Sequence, residues 1–352
     1  TSLRDARIAQ EEIFGPVLAL APFRSEREAL TQINNTVYGL TAGIFSRSPA
    51  TIRRLTAGIR AGNIYVNREI TGARVGVEPF GGLGMSGAGP KAGGEDYLYA
   101  FVSRRASEPG SGGAASPALP ANESSVASRD AGVAWPTVIA WSAPANRRTE
   151  VLAAADRLLT TGDSGPAPAS LNGVLSALPR RVAEISEAQP TLPIPGQQTS
   201  IDWSMPRGVG CVVLDERASP EMLANLIGAA LLAGNGIVVV TAPVLHGAAR
   251  AVVQALRRSG VPARCLALLE GSDIPETVPP GRFDFIVSDV ALPRARSLAA
   301  SLARRHPGQR CMPVFLTMAD GPGPDETGFL RRFALPRTIA IRTLRHGADL
   351  AL

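Results

Sequence analysis

Cysteine and histidine are the side chains most able to act as nucleophiles, bases or metal ligands. The chain has three of each: Cys211, Cys265 and Cys311, and His246, His306 and His346. No two cysteines stand at CxxC spacing and no cluster has metal-ligand spacing, so neither a disulfide framework nor a zinc site is expected. Cys211 and Cys265 fall in apolar runs that read as buried strands, and Cys311 precedes another. All three read as small core hydrophobes, not reactive thiols. The glycine run from Gly81 to Gly94 holds a formal GxGxxG at Gly82, Gly84 and Gly87. A dinucleotide fingerprint needs a helix opening at the third glycine, so that its N-terminus meets the pyrophosphate. Gly89, Pro90, Gly93 and Gly94 forbid that helix, and the run reads as a loop that uses positive φ and close backbone approach.

The elements that would position such groups alternate between strand and helix. Residues 209–214 form an apolar run fit for a central strand. Ser219-Pro220-Glu221 then offers an N-cap, a proline in the first turn and an acidic start for a helix over 222–233. Further strands are expected at 237–240, 265–269, 283–287 and 314–317, with helices at 248–259, closed by Gly260, and near 294–305. This spacing implies a parallel sheet covered on both faces, a Rossmann-like domain. Its first loop, Asp215-Glu216-Arg217-Ala218-Ser219, has no glycine, and two carboxylates there would repel a pyrophosphate. Before it, 150–159 and 171–187 look helical, and 189–203 reads as Pro-rich and irregular. The first hundred residues offer strands at 17–21, 41–45 and 63–67 and helices at 26–34 and 49–57. The strand faces are apolar without enough visible partners, which suggests the closing portion of a larger α/β unit.

The chain is 352 residues long, 45% hydrophobic and 19% charged, enough for more than one globular unit. Composition shifts after Arg105: 106–134 is Ala, Ser, Gly and Pro with little to bury, and reads as a flexible linker. The expected division is therefore 1–105, linker 106–134 and 135–352. The net charge is +6, but the basic residues are scattered and Lys91 is the one lysine, so no nucleic-acid patch is expected. The uncharged stretch 223–245 is long enough to span a bilayer, yet Gly234, Asn235 and Gly236 split it into a helix, a turn and a strand. The N-terminus has no signal-peptide pattern and begins without methionine on a strand-like stretch, which reads as a fragment of a longer protein.

Two stretches are more specific than the glycine run. Gln10-Glu-Glu-Ile-Phe-Gly-Pro-Val17, followed by Tyr38-Gly-Leu-Thr-Ala-Gly-Ile-Phe-Ser46, Gly62-Asn-Ile-Tyr-Val-Asn67 and Pro79-Phe-Gly-Gly82, resembles the closing part of the aldehyde dehydrogenase superfamily. Gly72-Ala-Arg-Val-Gly-Val-Glu-Pro-Phe-Gly-Gly82, with Ser86 to Gly94 after it, resembles the glutamate-semialdehyde (pyrroline-5-carboxylate) dehydrogenase module of the proline utilization A family. From 192 onward the chain looks like that family's C-terminal domain, itself similar to an aldehyde dehydrogenase nucleotide domain. Residues 335–343 resemble its closing flap, although the tail from Leu344 to Leu352 departs from the family's pattern. The implied fold is α/β: the closing part of an aldehyde dehydrogenase catalytic domain, then a degenerate Rossmann-like, aldehyde-dehydrogenase-like domain.

The resemblance implies roles for particular residues. Glu12 would accept hydrogen bonds from both hydroxyls of the nicotinamide ribose of NAD, and Phe14 would lie against the nicotinamide. Gly72 and Ala73 would form an anchor loop whose backbone amides bind the substrate's α-carboxylate, and Phe80 would pack on the aliphatic stem of glutamate semialdehyde. The family's nucleophilic cysteine precedes Glu12, so no catalytic residue is expected in this chain, which alone would be inactive. FAD would serve proline oxidation in an upstream module of the same polypeptide. The resemblance also implies a cytoplasmic homo-oligomer, peripheral inner-membrane association of the parent being compatible with it, with 97–103 similar to a terminal strand used in dimer contacts. Nucleic acid would be a partner only through an N-terminal DNA-binding domain. Two other readings stand beside this one: an aldehyde dehydrogenase of another substrate class, and a non-catalytic structural or lid module.

Overall fold

The computed structural model describes residues 6–87, 89–101, 134–163, 165–269, 278–279, 281–303, 313–318, 323–345 and 348–349. The expected linker lies outside the described residues apart from Ala134, as do Cys311, His306 and His346. The fold is mixed α/β, with a parallel sheet and a mixed sheet.

In the first segment, helix α1 (Glu26–Ile33) starts at Ser25, whose side chain accepts from the Glu28 N–H. Strands β1 (Tyr38–Gly39) and β2 (Thr41–Ile44) follow. Helix α2 (Pro49–Gly58) is capped by Ser48 and carries proline in its first turn. Glu26 joins the two helices, accepting from Arg54 Nε at 2.7 Å and Thr51 Oγ1 at 2.9 Å. Strands β3 (Asn63–Val66) and β4 (Leu83–Gly84) complete the segment. Ile44, Ile52, Ile59, Ile64 and Val66 form its apolar core.

The second segment begins with α3 (Ala145–Thr161), then the short helices α4 (Val174–Ala177) and α5 (Ala183–Ser186). Strands β5 (Gln189–Pro190) and β6 (Gln197–Pro206) lead into the alternating part. This runs β7 (Val209–Leu214), α6 (Pro220–Leu232), β8 (Gly236–Thr241), α7 (His246–Ser259), β9 (Leu266–Leu269), β10 (Phe285–Asp289), α8 (Leu292–Ala303) and β11 (Val314–Thr317). Ser219 caps α6 and Gly260 ends α7, as their sequence signals require.

The parallel sheet has the order β11-β10-β7-β8-β9, that of a doubly wound α/β sheet with its crossover reversal between β7 and β10. Strand alternation divides its core. Val212, Leu214, Val239 and Val287 pack with Leu152 of α3, Leu226 of α6 and Val252 of α7. Cys211, Val213, Val238 and Ile286 face Leu298 of α8 and Val138. The uncharged stretch 223–245 is indeed helix, turn and strand, and among the described residues no helix is long and apolar enough to cross a membrane.

The second sheet takes strands from both segments. Its order is β2-β3-β12-β6-β5, where β12 (Ala334–Arg342) runs parallel to β3 and antiparallel to β6. The partner missing from the sequence reading of β3 is thus the strand at 334–342, which covers most of the flap-like 335–343. Its Arg337, 3% exposed, reaches back to the carbonyls of Thr56 at 2.8 Å and Ile59 at 3.1 Å, at the end of α2.

Four expectations need correction. Residues 17–21 are not a strand: no described strand lies beside them, and Leu18 and Leu20 are more than 80% exposed. An apolar run without a ladder partner has nothing to make it a strand. The helix expected over 171–187 is broken into short pieces around Gly173 and Pro179. The irregular stretch 189–203 contains β5 and most of β6, because its prolines sit on the edge strand and in the turn at Gly196. Residues 95–101, covering most of the strand-like 97–103, form a 3-10 helix.

Candidate functional site

Strand β3 ends at Asn67, a non-glycine residue at φ 55°. Its amide both accepts from the Ser46 N–H and donates to the Ser46 carbonyl, each at 3.0 Å. That exchange holds the left-handed turn and sends the chain into the loop 68–82. Gly72, at φ +77°, has nothing within 4 Å of where a Cβ would stand, and Ala73 beside it is exposed. Both residues of this pair are therefore exposed at the turn.

Glu78 holds the loop. It is fully buried and its carboxylate accepts from Arg68 Nη1 at 2.6 Å, Arg74 Nη2 at 2.6 Å, the Arg74 N–H at 3.0 Å and Gln197 Nε2 at 2.5 Å. Burial alone would raise its pKa, but the bonds from Arg74, Gln197 and Arg68 outweigh burial and hold the carboxyl at about 2. Arg68 also donates to the Thr71 carbonyl at 3.1 Å. Gly72 lines an open cavity of about 510 Å³ with Arg68, Thr71, Arg74, Gln197 and Arg342. Glu69 lines the same cavity, and Arg68 and Arg74 are already paired with Glu78, so the lining keeps a small net positive charge, which suits a carboxylate-bearing ligand.

Lys91 anchors the glycine run from beneath. Its ammonium donates to the carbonyls of Gly62 and Gly81 and to Asn63 Oδ1 at 3.1 Å. Burial, with the charge of Arg337 adding to it, pushes its pKa down to about 7. The glycine at 62 is required by contact, since a Cβ there would lie 1.8 Å from the Gly81 carbonyl oxygen. Among the described residues no helix opens at Gly87, and the run is loop apart from the two-residue strand β4 and the bridge of Ala92 to Phe80.

The site residues expected from the sequence lie in three places. Gly72 and Ala73 share the loop just described. Phe80, half-buried further along the same loop, exchanges backbone hydrogen bonds with Ala92 at 2.9 and 2.8 Å and does not line the Gly72 cavity. Glu12 lines a separate cavity of about 420 Å³ with Gln10, Tyr38, Thr41, Arg60 and Ser86. Phe14 is 98% exposed and lines neither cavity. The structure thus joins Gly72 with Ala73 but does not bring Glu12 or Phe14 to the Gly72 cavity. Sequence reading missed Glu78, Arg68, Arg74, Gln197 and Arg342. The Arg-x5-Arg-x3-Glu spacing was a usable signal for the first three; Gln197 and Arg342 had none.

The reversal point of the parallel sheet is closed. Asp215, buried at the end of β7, accepts from the Ala291 N–H at 2.6 Å and the Arg217 N–H at 3.1 Å, and its own N–H donates to the Asp289 carbonyl at 3.3 Å. Burial raises the Asp289 carboxyl, with Arg217 opposing and Asp215 adding to the rise. A pyrophosphate does not fit where one carboxylate already ties the two loops together. Burial likewise pushes up the thiol of Cys211 and, against Arg264, that of Cys265, so neither is a poised thiolate.

Residues 2–106 match the aldehyde dehydrogenase family. Over 105 residues, 29% of this chain and 8% of the relative, the sequence is 48% identical to the bifunctional protein PutA of Escherichia coli K12. Over 94 residues, 27% of this chain and 18% of the relative, it is 53% identical to the 1-pyrroline-5-carboxylate dehydrogenase of Geobacillus thermodenitrificans. The solved structure of proline utilization A from Corynebacterium freiburgense matches 98% of this chain and 27% of its own at 21% identity, with a TM-score of 0.49. The chain spans less than a fifth of the length of these two relatives. Residues 2–106 are thus similar to aldehyde dehydrogenases, among them proteins named PutA and 1-pyrroline-5-carboxylate dehydrogenase.

Proposed function

We propose that this chain is part of a polypeptide that oxidises L-glutamate γ-semialdehyde, formed from pyrroline-5-carboxylate, to L-glutamate with NAD. The observation that carries this reading is Gly72, which lines an open cavity with Arg68, Arg74 and Arg342, beside the exposed Ala73. Successive amides without intervening side chains bind an anion, and the guanidiniums add charge where the α-carboxylate of this substrate would sit. Phe80, further along the same loop, would pack on the aliphatic stem. The relative named 1-pyrroline-5-carboxylate dehydrogenase supports the same substrate.

NAD supplies hydride acceptance when bound. The residues present fit it: Glu12 is a carboxylate on a cavity rim, able to accept from two vicinal hydroxyls, and Phe14 offers an uncovered aromatic face to a flat ring. The parallel-sheet reversal point does not fit a dinucleotide, so we assign the second segment no cofactor. It acts instead as a degenerate Rossmann-like domain that packs on the first and lends it β12 and β6. Residues 1–105, 106–134 and 135–352 are then the closing part of the catalytic module, a linker and that domain. The nucleophilic cysteine, and FAD with its proline-oxidising site, belong to other parts of the polypeptide, which on this reading is a cytoplasmic, self-associating, multifunctional enzyme.

The test is NADH formation from pyrroline-5-carboxylate. The full polypeptide should form NADH and residues 1–352 alone should not. No NADH from the full polypeptide, or turnover by residues 1–352 alone, would contradict the reading.

A further inference from the structure

The loop that carries Gly72 and Ala73 is fastened by the second segment at three points. The Leu192 N–H donates to the Gly76 carbonyl at 3.1 Å, Thr191 Oγ1 donates to the Val77 carbonyl at 2.6 Å, and Gln197 Nε2 donates to the Glu78 carboxylate at 2.5 Å. Gly76 lets the two chains approach, since a Cβ there would lie 2.6 Å from Leu192 Cδ1. Gln197 is the chemically particular member of the three. Its carbonyl oxygen accepts from Arg68 Nη1 while its amide nitrogen donates both to Glu78 and to Thr199 Oγ1, the last at 2.7 Å. The amide accepts from the guanidinium through its oxygen and donates to the carboxylate through its nitrogen, so the surroundings also fix which way it points. Glu78 passes the constraint on. The same carboxylate accepts the Arg74 N–H, one residue after Ala73, and Arg68, its other partner, holds the Thr71 carbonyl, one residue before Gly72. The exposed pair is thus clamped on both sides through one buried carboxylate whose last hydrogen bond comes from a residue 119 positions away.

We propose that Glu78 and Gln197 are positioning residues that set the Gly72–Ala73 backbone for a carboxylate-bearing aldehyde, so that the second segment controls substrate selectivity through Gln197. This rests on the reading of Gly72–Ala73 as the carboxylate anchor. It predicts a specific defect, because loosening the clamp costs affinity only for substrates that use the loop.

The experiment compares kcat/KM for glutamate semialdehyde and for a straight-chain aldehyde without a carboxylate, in the full polypeptide and in its Gln197→Leu, Glu78→Gln and Gly72→Val variants. Gln197→Leu should lower the ratio of the two values about tenfold, carried by KM, which is the size expected for losing one or two hydrogen bonds at a positioning group. Glu78→Gln, which keeps the shape and loses the charge, should lower it in the same direction. Amide hydrogen exchange at 73–75 in the chain itself should quicken in Gln197→Leu, with the melting temperature reporting whether the fold survives. The inference is overturned if Gly72→Val lowers the ratio but Gln197→Leu does not, if Gln197→Leu depresses both aldehydes alike, or if exchange at 73–75 is unchanged. If Gly72→Val itself leaves the ratio unchanged, the anchor reading has failed, and this inference fails with it.

Discussion

Arg337 of β12 and Asp202 of β6 pair across neighbouring strands, Nε to Oδ2 at 3.1 Å, while the same guanidinium donates to the Thr56 and Ile59 carbonyls at the end of α2. One buried side chain therefore closes a helix terminus of the first segment and a strand pair of the second. The last carbonyls of a helix lack intrahelical partners, and a cation there satisfies them and suits the helix dipole.

Arg337→Met keeps the apolar stem but leaves Asp202 and two buried carbonyls without their donor. The expected loss is about 3–5 kcal/mol of stability, the usual cost of breaking a buried pair by removing one partner. Urea denaturation of the chain checks it. Arg337→Lys should recover only part of the loss, because an ammonium cannot fork to a carboxylate and two carbonyls as a guanidinium does.

Glu78 gives a pH dependence with a definite sign. Its folded pKa, about 2, lies below the ordinary carboxylate value, so its stabilising contribution is complete above the unfolded pKa and is lost as pH falls through the folded one. The stability gap between wild type and Glu78→Gln should therefore be flat from neutral pH to about 5 and narrow from about 4 downward. Denaturation midpoints of both proteins across that range check it, and narrowing that begins near neutrality would contradict it.

Lys91 has the opposite consequence. Burial and then Arg337 depress its folded pKa to about 7, so between there and the ordinary lysine value of roughly 10.4 the unfolded chain binds more protons than the folded one. Stability from this group accordingly rises with pH across that window. Relative to Lys91→Met, wild type should gain stability as the buffer is taken from about pH 7 to about 9.5, read as melting temperatures at the two values.

The elements from β7 to β11 were legible because apolar runs of strand length alternate with helices whose ends carry their own signals, Ser219-Pro220 at one start and Gly260 at one finish. Residues 17–21 misled because apolar content was present and a ladder partner was not. The stretch 189–203 misled the other way: its prolines hid β6, whose strand character comes from pairing with β12 more than a hundred residues later. At the candidate site, Gly72 and Ala73 were picked out through their motif, whereas Lys91 stood out only as the lone lysine, with no role read for it. Gln197 and Arg342 were not, since nothing local in a sequence marks a side chain whose partner is set by the register of a distant strand.

The most direct measurement is the ratio of kcat/KM for glutamate semialdehyde to that for an aldehyde of equal length lacking the carboxylate, with NAD and the full polypeptide. A site whose exposed backbone amides take the carboxylate should favour the former by at least about a hundredfold, because the analogue leaves those amides without their partner. Equal values for the two aldehydes would contradict the assignment of Gly72 and Ala73 to the substrate's carboxylate.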